Sequence, residues 1–182
     1  MTASVAQNQG AAPEAPHTPT ATPPAQDSKR LRIRSYRPED HAGVLDVFVP
    51  GLMANAKIPG QSQKFWDEYI GSSLQDDLAD INGTYFARGG HYWVAVCDKE
   101  DGSGEEVVGM VGLEHKGRGE GELRRMSVKA DYRRYGLGRL LVATLEDWAI
   151  QKGFTRIWLS AGYVLEKAHA FYKSMGTLGD AK

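Results

Sequence analysis

The sequence predicts an α/β sandwich, a mixed sheet flanked by helices in the order β-α-α-β-β-β-α-β-α. Three observations carry that prediction. Apolar residues alternate at strand period in several short runs, two of them joined by the polar, glycine-bearing linker "KEDGSG". Helix-period stripes lie on either side of those runs. Near the end of the chain a strand, a long periodic helix and another apolar run follow in order, which is a crossover connection.

Taken along the chain, "RLRIRSY" places Leu31 and Ile33 on one side and arginines on the other, a half-buried strand. In "RPEDHAGVLDVFVPGL", Pro38, Glu39 and Asp40 suit a helix first turn, and Val44, Leu45, Val47 and Phe48 form its stripe. Pro50-Gly51 is expected to break that helix. Phe65, Trp66, Tyr69, Ile70, Leu74 and Leu78 make a second amphipathic stretch, and "DINGTYFARGG" brings turn residues. "HYWVAVCD" and "EEVVGMVGLEHK" are strands, the latter closing on a polar end at Glu114, His115 and Lys116. "GRGEG" turns the chain into a further strand, "ELRRMSV". From Leu137 the spacing is helical, with Leu141, Leu145, Trp148 and Ala149 on one face and Gly153 at the end. "RIWLS" is the next strand; Ala168, Phe171, Tyr172 and Met175 then mark a final helix closed by Gly176.

Bulk properties narrow the function classes. A formal net charge of −1 gives no electrostatic case for nucleic acid or an anionic membrane. No apolar run approaches the roughly 20 residues that span a bilayer. Cys97 is the single cysteine, which excludes an intrachain disulfide and a thiolate metal cluster, and His91 and His115 lack metal-ligand spacing. No metal is therefore expected. The first 29 residues, rich in Ala, Pro and Thr, read as a disordered tail without a secretory or transit pattern, and 30–182 as one domain. Cytoplasmic location is the expectation, with the nucleus left open.

The chemistry concentrates in "RRYGLG", Arg133 to Gly138, between a strand and a helix start. A helix N-terminus offers unpaired N–H groups and a positive dipole end, and Gly136 and Gly138 let a ligand approach the backbone. Two readings stand on that stretch alone: a surface turn with solvated arginines, or an anion cradle. The preceding strand favours the cradle. In "ELRRMSV" the step from Leu123 to Met126 is one residue too long for strand period, while 126 to 128 fits, and the extra residue is a β-bulge. Bulges free backbone N–H groups for a ligand. A nucleotide P-loop does not fit, because Arg139-Leu140 follow Gly138 in place of Lys-Ser/Thr.

"GELRRMSVKADYRRYGLGRLLVATLEDWA" with "KAHAFYKSMG" resembles the acetyl-CoA-binding core of the GNAT N-acetyltransferase superfamily. "VVGMVGL", "LEDWA" and the upstream "DDLADI…Y" resemble its cysteine-conjugate N-acetyltransferase branch. The family's loop pattern, Arg/Gln-x-x-Gly-x-Gly/Ala, is met by Arg133, Gly136 and Gly138. The resemblance implies direct acetyl transfer from acetyl-CoA to an amine. It implies that the strand amides of Met126, Ser127 and Val128 hold pantetheine. The loop, Arg133, Arg134, Tyr135, Gly136, Leu137 and Gly138, would hold the diphosphate. It also implies Glu122 as general base and Tyr172 as general acid toward the sulfur, with Tyr163 a weaker substitute. Glu122 is otherwise a solvated carboxylate beside Arg124 or Lys129, and Tyr172 otherwise helix core.

Two departures stand out. Leu165 occupies a position where many relatives carry asparagine, and the two strands that usually follow the last helix do not appear before Lys182. An exposed sheet edge there would offer a homodimer contact. A second reading follows from these departures, a CoA-binding or interaction module with little catalysis. Acceptor recognition is expected from "PGLMANAKIPGQSQ", whose chemistry the sequence leaves open.

Overall fold

A computed structural model describes residues 31–54 and 62–159. Its frame is a five-stranded sheet in the order β1-β2-β3-β4-β5, formed by Leu31–Ser35, His91–Asp98, Glu105–Gly117, Glu120–Val128 and Arg156–Leu159. The first four strands are antiparallel neighbours, and β5 lies parallel to β4. Helices α1 (His41–Met53) and α2 (Gln63–Gln75) precede β2, and α3 (Leu137–Gln151) makes the crossover from β4 to β5. The sequence order is thus reproduced through β5. The expected last helix, the N-terminal tail and the terminal sheet edge lie outside the described residues.

Strand alternation builds two cores, one on each face of the sheet. Tyr92, Val94 and Val96 join Val44, Val47 and Phe48 of α1 on one face. Trp93, Ala95 and Cys97 join Leu137, Leu141, Val142, Leu145 and Ala149 of α3 on the other. The predicted α3 stripe is therefore the buried one. Its end is a Schellman closure: Gly153 is left-handed (φ 79°), its N–H reaches the Ile150 carbonyl at 3.0 Å, and that of Phe154 reaches Ala149 at 2.9 Å.

Three expectations are corrected. Pro50 lies inside α1, which continues to Met53. A proline there forfeits only one backbone bond, and the burial of Val47 and Phe48 holds the final turn in register. In α2 the buried residues are Trp66, Ile70 and Ser73, whereas Phe65 and Tyr69 are exposed and stacked on each other, 6.4 Å apart. The turn segment at "NGTYF" is a π-helical turn, Asn82–Phe86, that buries Tyr85 completely.

Candidate active site

The site is built where β4 leaves its neighbours. β3 enters β4 through a two-residue turn whose central residues, Arg118 and Gly119, both have positive φ (53° and 75°). β4 then pairs with β3 from Glu120, and Arg124 lies opposite Gly112. The next recorded partners are Met110 and Ser127, so Val111 alone faces two residues, Arg125 and Met126. This is the bulge that the broken alternation predicts. Arg125 carries it in the left-handed region, φ 57°, where glycine is the usual occupant. On its other edge β4 pairs with β5 only from Glu120 to Leu123. Among the described residues, 124–128 have no strand on that side.

The stretch 129–138 carries the chain from that edge into α3. Its first part, Ala130–Tyr135, is a 3-10 turn closed by Gly136 at φ 71°. Gly136 is also the N-cap of α3, whose first turn contains no side-chain cap and no acidic residue. The Leu137 and Gly138 N–H groups lie in the first helical positions, beyond reach of any intrahelical acceptor. Among the described residues, a Cβ on Gly136 would meet nothing within 4 Å, so none of them fills the space in front of the helix end. Arg134 is exposed, and Tyr135 is 55% exposed. Arg133 is placed differently from a free phosphate ligand: its Nε donates to the Val128 carbonyl at 3.0 Å and fastens the loop to the end of β4. Lys129 anchors the loop start through its N–H to Val108 (2.9 Å) and its ammonium to Glu106 (2.8 Å).

Glu122 is buried, 8% exposed, and sits directly across from Glu114. Lys116 is an ionic partner of it: the ammonium bonds Glu122 at 2.9 Å and Glu114 at 2.8 Å. Arg124 adds a 2.7 Å bond to Glu114. Burial pushes the Glu114 carboxyl up, but Lys116 and Arg124 outweigh it and hold it below the usual range. The same set of bonds raises Lys116 against the opposing effect of its own burial. Two facing carboxylates are tolerated here because two cations are interleaved with them. Ser127 of the predicted pantetheine strand faces α1, where Gly51 admits it: a Cβ on Gly51 would stand 2.6 Å from the Ser127 hydroxyl.

The network continues into residues whose role sequence reasoning missed. Asp77, fully buried, accepts from Arg125 Nε at 3.1 and 3.0 Å, from Arg124 at 3.4 Å, and from the Tyr85 hydroxyl. Arg125 also donates to Ser73 Oγ at 3.0 Å and lies 5.1 Å over the Phe48 ring. Burial pushes the Asp77 carboxyl up, yet Arg125 and the Tyr85 hydroxyl bring it below its ordinary value. No spacing in the sequence signals this contact, because Asp77 and Arg125 lie 48 residues apart. Tyr172, Tyr163 and Leu165 lie outside the described residues, as do 55–61 of the expected acceptor segment.

Comparison with known proteins agrees with this geometry. Residues 59–177 match the model of the acetyltransferase (GNAT) family. The chain is 34% identical to human N-acetyltransferase 8 over 124 residues, 63% of this chain and 51% of the relative. It is 33% identical to rat N-acetyltransferase 8F1 over 116 residues, 61% and 50% of the two lengths. The chain thus spans about half the length of these curated relatives. Among solved structures, an acetyltransferase from Streptococcus agalactiae superposes with TM-score 0.64 at 25% identity, covering 80% of this chain and 82% of the other. The PaiA N-acetyltransferase of Thermoplasma acidophilum, solved with coenzyme A, gives TM-score 0.63 at 16% identity, covering 80% and 87%. The bulged β4 and the glycine-capped α3 are features of one fold, and the chain belongs to the GNAT acetyltransferase family.

Proposed function

We propose that the protein is an acetyl-CoA-dependent N-acetyltransferase that transfers acetyl directly to an amine of a small molecule, an amino-acid conjugate or a protein. The observation that carries this reading is the α3 N-terminus: a left-handed Gly136, a space before it that none of the described residues fills, and no carboxylate in the first turn. Such an end favours a diphosphate over water by dipole and by unpaired N–H groups. In this reading the backbone of Arg134, Tyr135, Gly136, Leu137 and Gly138 holds the diphosphate. Arg133 supports it by fixing the loop, and the edge at Met126, Ser127 and Val128 receives the pantetheine arm.

The amine nitrogen attacks the thioester carbonyl carbon, the C–S bond breaks, and the thiolate leaves. Glu122 takes the proton of the amine, and Tyr172 gives a proton to the sulfur. The Lys116 ammonium, 2.9 Å from Glu122, holds that carboxylate in place. Thiol release from acetyl-CoA with a panel of amines tests the reaction, and calorimetry with CoA tests the site. The expected result is CoA binding in the micromolar range and acceptor-dependent thiol release; neither binding nor release refutes the reading. Gly136→Glu places a carboxylate in the cradle at a left-handed position and is expected to abolish CoA binding. Unchanged affinity in that variant would refute the loop assignment.

A further inference from the structure

An arginine in the left-handed region needs a cause. Arg125 has φ 57° inside a strand, where a Cβ-bearing residue is strained and glycine is not. In a regular strand, consecutive residues point to opposite faces. Here the bulge turns Arg124 and Arg125 to the same face, and both reach Asp77. Asp77 has no exposed surface and the Arg125 side chain almost none (7%), so neither charge has water as an alternative partner. The pair is locked further by Ser73 Oγ on α2, by the Tyr85 hydroxyl on Asp77, and by the Phe48 ring beneath the guanidinium. Breaking such a pair leaves a buried charge uncompensated, a penalty larger than the strain of one left-handed residue.

We infer that Asp77 and Arg125 form a clamp that sets the shape of the β4 bulge, which makes Asp77 a positioning residue for the thioester-binding backbone that follows it at Met126, Ser127 and Val128. The inference rests on the acetyl-CoA reading for its functional consequence, though not for the clamp itself. The side chains act on the fold, and the backbone acts on the ligand. Arg125 is thereby assigned away from the acceptor: its nitrogens are spent on Asp77 and Ser73.

The test removes the clamp and asks whether backbone freedom at 125 replaces it. In an Asp77→Asn background, which leaves no unpaired buried carboxylate, Arg125→Gly and Arg125→Ala both lack the guanidinium and differ only in tolerance of the left-handed region. Amide hydrogen exchange at 125–128 is read relative to 91–98, a reference that global destabilisation moves equally. The Gly variant is expected to keep near-parental relative protection, and the Ala variant to exchange at least about fivefold faster. In kinetics the Ala variant raises KM for acetyl-CoA by a similar factor with the acceptor KM unchanged. Equal behaviour of Gly and Ala overturns the clamp, as does an effect confined to the acceptor KM. If the parent protein neither binds CoA nor turns over, the acetyltransferase reading fails, while the exchange comparison still decides the clamp.

Discussion

Gly112 is the position where one methyl group most directly joins the core to the site. It lies in the middle of β3, with Tyr92 opposite on β2 and Arg124 opposite on β4. A Cβ there would stand 2.6 Å from Tyr85 Cε1, 2.9 Å from Tyr92 Cδ2 and 3.0 Å from Tyr85 Cζ. Both rings are fully buried and pack edge to face with centroids 4.9 Å apart, so neither can move without displacing the other. Tyr85 must shift, and its hydroxyl is bonded to buried Asp77. Gly112→Ala therefore costs about 1–3 kcal/mol of overpacking. Weakening a hydrogen bond to a buried carboxylate adds roughly 1.5–3 kcal/mol. A loss of about 3–4 kcal/mol is expected from denaturant unfolding, or roughly 10 °C in Tm for a domain of this size. The control is the same substitution at Gly71 in α2, where a Cβ meets nothing within 4 Å. There Gly→Ala should stabilise by about 0.5–1 kcal/mol through helix propensity. A Gly112→Ala protein within about 0.5 kcal/mol of the parent would refute the packing argument.

Two further outcomes follow from the opposite face. Leu141 is fully buried in the α3 core, so Leu141→Ala should cost about 3–4 kcal/mol in denaturant unfolding; a cost below about 1 kcal/mol would mean that α3 does not seat there. His91 is packed by Phe86, Trp93 and Trp148 with centroids 4.6, 4.5 and 5.0 Å away, and burial, then Lys152, lowers its pKa below 6.5. A depressed histidine favours folding while neutral, so that contribution is present above the unfolded pKa and is lost as pH falls below about 6.5. Unfolding midpoints between pH 7 and 5 should drop more steeply in the parent than in His91→Phe, and parallel slopes would remove His91 from the account.

The sequence by itself determined the strands, the helices and their order, because each is a local period of apolar residues with recognisable turn chemistry at its ends. The α3 stripe, the Gly153 closure and the "KEDGSG" hairpin are of this kind. The bulge was legible too, since one extra residue breaks the strand period between Leu123 and Met126. Gly136 in "RRYGLG" was readable as a place where a ligand could approach the backbone; its left-handed conformation as the α3 N-cap came from the structure. Continuation of α1 through Pro50 was not legible, because burial of Val47 and Phe48 overrides a local breaker. The ionic partners were decided only in three dimensions. Glu122 pairs with Lys116 across a strand register, and Arg125 meets Asp77 48 residues away. The first pair depends on the bulged register of the β3–β4 hairpin, and no local period encodes the second, between residues so distant along the chain. What the fold alone decides is which charges lose their water together, and that loss is what makes a buried pair able to hold a strand in an otherwise strained shape.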